Sequence, residues 1–530
     1  MFPNESQNSH LHGVSGHSQN MTNIEAFRPR LLFCPLFAWN AITGGKFISI
    51  FLEDLSPNFS EGVIGLTLSI QYAVVAVLAG WGGRLADMEE RQAVVWGSGR
   101  LKVMCWGVLI GTLAFLGHGL PQMVRLNDTL PDSDFTSRRK LEAVDDNTIF
   151  PWNLELTWHI TMRILWAVAF VLTAPAMDGL ALAHLEAIDG ASQLDFGKER
   201  MYGAIWWGLG SLAAGIGIDY CGFGFMYGMA VVFAFLVYFA VCIYLWGVYR
   251  DTTGSFSSRT LEFDNDSFTD SHPIVEKIGT KDLFLMLCPS CYGSALILFV
   301  FTFSIGLAIV DNLAFIFFEW LGSSNSMDGW TVVFTVILEL PLFYSSPVLL
   351  KRHGPGKLLL IAGTAYVIRV IGYTVIPEGK MWIILILEIL HGISYACSKT
   401  GSVEYIARAT PKGYDASAQG LLFAIRFCGV VVGLAAGGWA QENFGGRIMY
   451  FTSGCLVFVG MVILSLAELC REQKNTETHT KEKSDSQESS SLLEKSESAC
   501  SSASGFADKS TETWVRNLKY DSLNRYVKDW

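Results

Sequence analysis

Residues 292–318 read YGSALILFVFTFSIGLAIVDNLAFIFF and contain a single charged side chain, Asp311. A helix needs about 20 mostly apolar residues to cross a bilayer, so this stretch is long enough to span one. Inside lipid the backbone polar groups must be paired within the segment, which favours a helix. The stretch therefore predicts a membrane-spanning helix, and its one carboxylate marks a position that requires a functional or structural reason.

The rest of the 530-residue chain repeats this pattern, which predicts an all-α membrane protein with twelve spans. Hydrophobic residues make up 51% of the chain and charged residues only 16%, against roughly 25% charged in soluble domains. A soluble enzyme is therefore excluded, and the net charge of −11 argues against a nucleic-acid-binding protein. The predicted spans are 31–54, 62–82, 101–120, 157–185, 201–219, 223–249, 292–318, 330–350, 357–376, 381–402, 416–438 and 448–469.

The cysteines and the N-terminal segment exclude several other classes of protein. The 11 cysteines are scattered and lie mostly in apolar runs, so we expect neither a disulfide framework nor a zinc module. The first 30 residues lack a basic segment followed by an apolar core, so no cleavable signal peptide is expected. No motif for a metal ion or a cofactor is expected to act in this chain.

Lysine and arginine in the short loops predict the orientation, because cytosolic loops carry an excess of both. The loops 55–61, 220–222 and 319–329 contain neither residue. The opposite loops carry basic residues, so both termini are predicted to be cytosolic, and the sequons at Asn58 and Asn127 are possible external glycosylation sites. The basic loop residues are Arg84, Arg91, Arg100, Lys102, Lys198, Arg200, Lys351, Arg352, Lys357, Arg408 and Lys412.

A polar segment in the middle of the chain divides the spans into six and six. The linker is rich in Asp and Ser, and the segment after the last span is rich in Ser, Lys and Glu, which is typical of disorder. The predicted organisation is a cytosolic N-terminal tail at 1–30, a six-helix half at 31–249, a cytosolic linker at 250–290, a second half at 291–470 and a disordered cytosolic tail at 471–530.

Several loop motifs resemble those of a known superfamily. Residues 83–91 (GRLADMEER) resemble the G-x-x-x-D-x-x-G-R signature of major facilitator transporters, with Glu90 in place of the second Gly. Residues 196–204 (FGKERMYGA), 317–324 (FFEWLGSS) and 388–420 are similar to the branch of proton symporters that holds phenylpropionate, nucleoside and oligosaccharide permeases. The resemblance implies the major facilitator fold, in which two six-helix halves rock about a midplane site.

The apolar spans contain a small set of ionisable residues, each of which costs roughly 2.5–3.5 kcal/mol at the centre of a bilayer. We expect them to pair around a wet cavity inside the bundle. The alternative is that they are ion pairs that only fix the packing of helices. These residues are Lys46, Asp311, Glu339, Arg369, Glu388, His391 and Arg426.

Span 10 carries a polar stripe, because the spacing of its polar residues places them on one helix face. Glu388 and His391 lie one turn apart in it, which makes them a plausible pair for binding and relaying a proton. Lys399 lies beside the stripe. The stripe consists of Glu388, His391, Tyr395, Ser398 and Ser402.

The resemblance to lactose-permease-like symporters implies roles for these residues, although Glu388-x-x-His391 reverses the order that those permeases have. The implied proton-coupling residues are Asp311, Glu339, Arg369, Glu388 and His391. The implied substrate cavity contains Lys46, Tyr395, Lys399 and Arg426, where Lys46 or Arg426 favours a solute with a carboxylate or hydroxyl groups. The predicted conformational gate contains Asp87, Arg91, Asp178 and Arg200.

Two other spans carry features that we interpret as structural. Gly429, Gly433 and Gly437 in span 11 predict close packing against another helix. Arg163, near the outer end of span 4, is expected to extend its guanidinium to the membrane interface. A role of the glycines in gating is the secondary interpretation.

The function predicted from the sequence is secondary active transport by alternating access, as proton-coupled symport of a small polar organic solute. The alternatives are a receptor or scaffold that does not transport, with the external loop 121–156 as its binding surface, or an antiporter. Short motifs at Leu492 and Tyr520 resemble signals for sorting adaptors. The predicted location is therefore the plasma membrane or an endolysosomal or vacuolar membrane.

Overall fold

The described part of the chain forms twelve long helices. The computed structural model describes residues 29–56, 58–93, 97–123, 152–186, 196–254, 290–410 and 415–473, and no strand occurs among them. All twelve helices are long and apolar enough to cross a membrane, so the predicted fold class is confirmed. In chain order they are α1 (Arg30–Leu55), α2 (Glu61–Gln92), α3 (Ser98–Gly117), α4 (Trp152–Glu186), α5 (Phe196–Cys221), α6 (Gly224–Gly254), α7 (Cys291–Trp320), α8 (Asn325–Tyr344), α9 (Ser346–Val375), α10 (Trp382–Ala409), α11 (Asp415–Phe444) and α12 (Gly446–Gln473).

The predicted boundary between spans 8 and 9 is wrong. Helix α8 ends at Tyr344, and α9 begins at Ser346 and continues to Val375 with a break at Gly354, whose φ is 75°. A glycine adopts this left-handed conformation without a steric penalty, and the proline that follows it starts the next helical turn well. The basic residues Lys351 and Arg352 therefore lie in a helix rather than in a loop. As a consequence, Glu339 lies five residues from the end of α8 and not at its centre.

The helices pack in a pattern that relates the two sets of six. Helix α2 packs along α11, and α5 packs along α8. The counterpart of α2 in the other half is α8 and that of α11 is α5, so the second pair is the first with its halves exchanged, as expected for two halves related by pseudosymmetry. Within the sets, α3 packs on α4 and α9 on α10.

Glycines allow the backbones of α2 and α11 to touch. A Cβ atom on Gly65 would lie 2.5 Å from the Leu434 carbonyl oxygen, and one on Gly438 would lie 2.7 Å from the Glu61 carbonyl oxygen. The predicted close packing of the α11 glycines is also confirmed, because a Cβ atom on Gly429 would lie 2.8 Å from the Phe301 carbonyl oxygen of α7. Close approach of this kind is how helices associate in lipid.

Hydrogen bonds to backbone N–H groups join α1–α6 to α7–α12 at one end of the bundle. We call the end at which odd-numbered helices begin the termini face, and the other end the far face. At the far face, Asp219 accepts hydrogen bonds from the backbone N–H groups of Asn325 (3.1 Å) and Ser326 (2.8 Å). Glu442 likewise accepts a hydrogen bond from the Gly62 N–H (3.1 Å). The two sets of helices are therefore joined at the far face.

We predict that Gly65→Leu separates the far face. The added side chain must displace the α11 backbone, and overpacking of this kind costs about 1–3 kcal/mol. Hydrogen–deuterium exchange of peptides covering residues 58–66 and 436–446 should therefore accelerate. The matched control is Gly420→Leu in α11, where a Cβ atom would have no neighbour within 4 Å. Equal exchange in the two variants would contradict the prediction.

Candidate functional site

A break in α1 positions Lys46. The helix stops at Gly44 and resumes at Ile48. A Cβ atom on Gly44 would overlap the Trp166 ring, and one on Gly45 would overlap the Ala41 carbonyl oxygen, so this break requires glycine at both positions. The Lys46 side chain leaves the break and is only 7% exposed. Discontinuous helices of this kind form the midplane sites of many transporters.

Lys46 contacts Glu388 across the two sets of helices. Its Nζ atom lies 3.6 Å from Oε2 of Glu388, which is fully buried. Thr335 Oγ1 donates a hydrogen bond to the same oxygen (3.1 Å), and the Tyr373 hydroxyl donates one to the other oxygen. The carboxylate is therefore held by α1 from the first half and by α8 and α9 from the second.

His391 contacts a different carboxylate. Its Nε2 atom lies 3.4 Å from Oδ1 of Asp311 on α7. The expectation that Glu388 and His391 form a pair is wrong, because their side chains reach different neighbouring helices from the same face of α10. The Asp311 side chain is 32% accessible although it lies within a membrane-spanning helix. This carboxylate is therefore only partly buried.

Arg369 lies buried beside these pairs. Its guanidinium carbon is 5.9 Å from the centre of the Tyr366 ring and 5.7 Å from that of the Tyr373 ring. None of its three guanidinium nitrogens has a hydrogen-bond partner among the described residues. It interacts electrostatically with Glu388 and Asp311. The expectation that every interior charge is paired is therefore wrong for Arg369, since the nearby carboxylates are held by other groups.

A second group of charges lies nearer the termini face. Lys399 Nζ is 5.4 Å from the centre of the Tyr395 ring. Arg426 donates hydrogen bonds to the Ser398 carbonyl oxygen (3.1 Å) and to the Ser402 hydroxyl. Tyr395 also stacks on the His391 ring at 6.0 Å, so it connects this group to the deeper one. Electrostatic interactions join Glu339 to this group through Lys399.

The predicted gate residues lie in two separate places. Asp178 and Arg200 form an ion pair (3.6 Å) whose side chains are 37% and 47% accessible, respectively. Asp87 pairs with Arg100 (3.0 Å), and Arg91 is exposed in the last turn of α2.

Glu90, which departs from the superfamily signature, has a clear structural role. Its carboxylate accepts hydrogen bonds from the backbone N–H groups of Gly97 (2.5 Å) and Arg100 (3.0 Å). It thereby caps the first turn of α3, whose N–H groups have no partners within the helix.

Arg163 is a buried residue of this region that the sequence interpretation placed at the membrane interface. It is fully buried, and it donates hydrogen bonds to Gln71 Oε1 (2.7 Å) and to the Thr43 carbonyl oxygen (2.9 Å). The break in α1 leaves that carbonyl without its helical partner. The expectation that Arg163 reaches the membrane interface is therefore wrong. The Gly44-Gly45 pair inside span 1 is the sequence feature that could have indicated a helix break, and with it a buried acceptor for Arg163.

Within the described residues, no group of three or more His, Cys, Asp or Glu side chains could hold a metal ion. The arrangement instead offers buried carboxylates and an imidazole that can exchange protons, together with cations near accessible side chains. Such groups can bind a solute and a proton at neighbouring positions.

Comparison with known proteins gives a consistent result. Residues 36–452 match the model of the MFS_1 like family. The chain is 22% identical over 318 residues to a maltose permease of Geobacillus stearothermophilus, a match that covers 58% of this chain and 71% of that protein. It is 23% identical over 301 residues to a raffinose permease of Escherichia coli, covering 56% of this chain and 66% of the permease.

Solved structures with the same fold include two transporters. The nucleoside transporter NupG, in the crystal structure of a point mutant, superposes with a TM-score of 0.57 at 14% identity, covering 84% of this chain and 99% of NupG. The xylose transporter XylE from E. coli, in an inward open conformation, superposes with a TM-score of 0.55 at 13% identity. That match covers 83% of this chain and 95% of XylE.

We predict that Arg163→Met destabilises the fold. The substitution leaves the Gln71 and Thr43 oxygens buried without donors, which should lower the free energy of unfolding by about 3 kcal/mol. Thermal unfolding in detergent measures the effect. The matched control is Arg84→Met, because Arg84 also donates to a helix carbonyl but is exposed. An Arg163 variant that melts with the Arg84 variant would contradict this role.

Proposed function

Because the chain belongs to the MFS_1-like family of major facilitator transporters, we propose that it carries out proton-coupled symport of a small polar organic solute. The chain is a secondary transporter and a multi-pass membrane protein, and its relatives are permeases rather than enzymes. What we propose beyond this is that the coupling ion is a proton and that it moves in the same direction as the solute.

The observation that carries the proposal is the contact between Lys46 and Glu388. It joins an α1 cation of one half to an α10 carboxylate of the other half at 3.6 Å, and both side chains are buried. When the halves rock apart at the far face, this pair separates. A buried carboxylate without its cation is costly in a low-dielectric site, and binding of a proton removes that cost. Proton binding to Glu388 therefore favours the opening of the far face.

The other interior groups have supporting roles in the proposal. Asp311 and His391 lie beside this pair and pass the proton to or from the cavity, and Arg369 attracts whichever neighbouring carboxylate has lost its proton. Glu339 is a further proton-binding group. Lys46, Tyr395, Lys399 and Arg426 line the solute cavity.

The predicted orientation of the chain indicates which side of the membrane each face of the bundle meets. With the termini face in the cytosol, as the basic loops predict, the joined far face is external, and this structure is the inward-facing state. The exposed Asp178–Arg200 pair then lies on the cytosolic side, where it acts as a gate together with Asp87 and Arg91. Membrane location rests on the tail motifs at Leu492 and Tyr520, which lie outside the described residues, as do Asn127 and most of the 121–156 loop.

We predict proton-driven accumulation in proteoliposomes. A panel of sugars, nucleosides and organic acids is offered with an imposed pH gradient, acid outside, and accumulation of a solute should collapse on addition of a protonophore. Glu339→Gln and Glu388→Gln should lose accumulation but retain exchange of solute, because a neutral amide mimics the protonated carboxyl group.

The control for these variants is Glu378→Gln, an exposed residue in the loop before α10, which should transport normally. Accumulation that is unchanged in Glu388→Gln, or that does not respond to the pH gradient, would falsify the proton role.

We also predict that Lys46→Gln shifts the conformational equilibrium. Loss of the cation removes the attraction between the halves, so the far face should open more often. Exchange of deuterium into residues 58–66 should accelerate, and Glu388→Gln should produce a similar change. Lys380→Gln, in the same loop as Glu378, serves as the control. Slower or unchanged exchange in Lys46→Gln would count against the ion pair as the closing contact.

A further inference from the structure

Three cations converge near the Tyr395 side chain. We call Arg200, Lys399 and Arg426 the cation cluster. Lys399 Nζ lies 5.4 Å from the centre of the Tyr395 ring, and Arg200 and Arg426 both interact electrostatically with Tyr395. Lys399 is repelled by both arginines. The cluster contains residues from both halves, since Arg200 lies on α5 and the other two lie on α10 and α11.

The cation cluster is not fully compensated by carboxylates. Arg200 pairs with Asp178 at 3.6 Å. In the part of the chain that the structure describes, Lys399 and Arg426 have no carboxylate oxygen within the 4.0 Å of an ion pair. The partners of Arg426 are a carbonyl oxygen and a hydroxyl group, and Glu339 acts on the cluster only at longer range. Asp311 also acts on Lys399, but Asp311 and Glu388 offset Lys46 and Arg369 in the deeper group. Counted together, the five cations and four carboxylates of the two groups leave one positive charge.

The uncompensated charge lies beside side chains that solvent reaches. Like charges that lie close together repel strongly where water is scarce, and a cation inside a membrane-spanning bundle normally has a counter-charge or marks a substrate path. The accessibility of the Asp178 and Arg200 side chains, 37% and 47%, leaves room for a soluble ligand to reach the cluster. A ligand with its own negative charge would supply what the protein lacks.

We propose that Lys399 and Arg426 bind a carboxylate group of the transported solute, so that the solute is an organic anion. This inference rests on the proposed function and specifies its substrate class. Arg426 presents a planar fork of donors that matches a carboxylate, and Lys399 adds a point charge beside it.

The charge balance also couples the solute to the proton. When Glu339 takes up a proton, the interior cations and carboxylates together carry two positive charges instead of one, so the anion binds more tightly. By linkage, the bound anion favours the protonation of Glu339 to the same degree. A monocarboxylate and one proton then cross the membrane together without net charge.

The test uses pairs of probes that differ only by a carboxylate in place of a hydroxymethyl group. The pairs are D-glucuronate with D-glucose, D-gluconate with D-sorbitol, and L-lactate with propane-1,2-diol. The full chain in nanodiscs of phosphatidylcholine is titrated with each probe, and the shift in unfolding temperature gives the affinity. At least one anion should stabilise the protein, and its neutral partner should not.

Variants locate the effect at the cluster. Lys399→Gln and Arg426→Gln should weaken binding of that anion at least about tenfold, since a charge-assisted hydrogen bond is lost. Lys399→Arg and Arg426→Lys keep the charge and should retain most of the affinity, which separates loss of charge from misfolding. Lys380→Gln should bind as the unmodified protein does.

Several outcomes would overturn the inference. They are no stabilisation by any of the three anions, equal stabilisation by the neutral partners, or an affinity that Lys399→Gln and Arg426→Gln leave unchanged. Stabilisation only by nanodiscs that contain phosphatidylglycerol would assign the cluster to a lipid headgroup instead. Accumulation of a neutral solute under the pH gradient, with no binding of anions, would remove this inference and leave the proposed symport intact. A panel in which no solute accumulates would remove the proposed symport itself.

Discussion

A buried carboxylate that is shared between two halves constrains much of this structure. Glu388 is fully buried and lies within reach of Lys46, Thr335 and Tyr373. An ionised carboxylate inside a bilayer costs several kcal/mol unless cations and hydrogen-bond donors surround it. The sequence supplies them from three helices, one of which belongs to the other half. The position of α1 relative to α10 therefore depends on electrostatics as well as on packing.

The break in α1 is the local feature that allows this contact. Two glycines end the helix within the span, and the next residue, Lys46, points to Glu388. Arg163 and Trp166 of α4 occupy the space that the break creates, by binding the Thr43 carbonyl and hydroxyl oxygens. The break in α1 is thus stabilised by hydrogen bonds from α4. Asp219 and Glu442 also join the two halves, because each accepts a hydrogen bond from a backbone N–H group of the other half at the far face.

The interior charges fall into two levels with different chemistry. The deeper level holds paired groups, Lys46 with Glu388 and His391 with Asp311, and a proton is the natural ligand of such pairs. The level near the termini face holds more cations than carboxylates and is accessible. Tyr395 lies between the levels, since it stacks on His391 and lies beneath Lys399. In the proposed symport, the solute and the proton would act on one another over this short distance.

The sequence by itself determined the twelve spans, their arrangement as six and six, and the identity of the interior charges. Whether a segment enters the bilayer depends on its own hydrophobicity, and a charged residue within an apolar segment is visible in the sequence. The sequence misplaced the junction of α8 and α9. Residues 351–356 interrupt the apolar run and are predicted to be a loop, but in the structure they belong to α9, which is broken at Gly354. Only the tertiary structure determined which interior charged side chains contact one another. Helical periodicity places Glu388 and His391 on one face, but it does not specify which helix packs against each turn, so Glu388 meets Lys46 while His391 meets Asp311. Arg163 is buried for the same reason, since its acceptor exists only where another helix breaks.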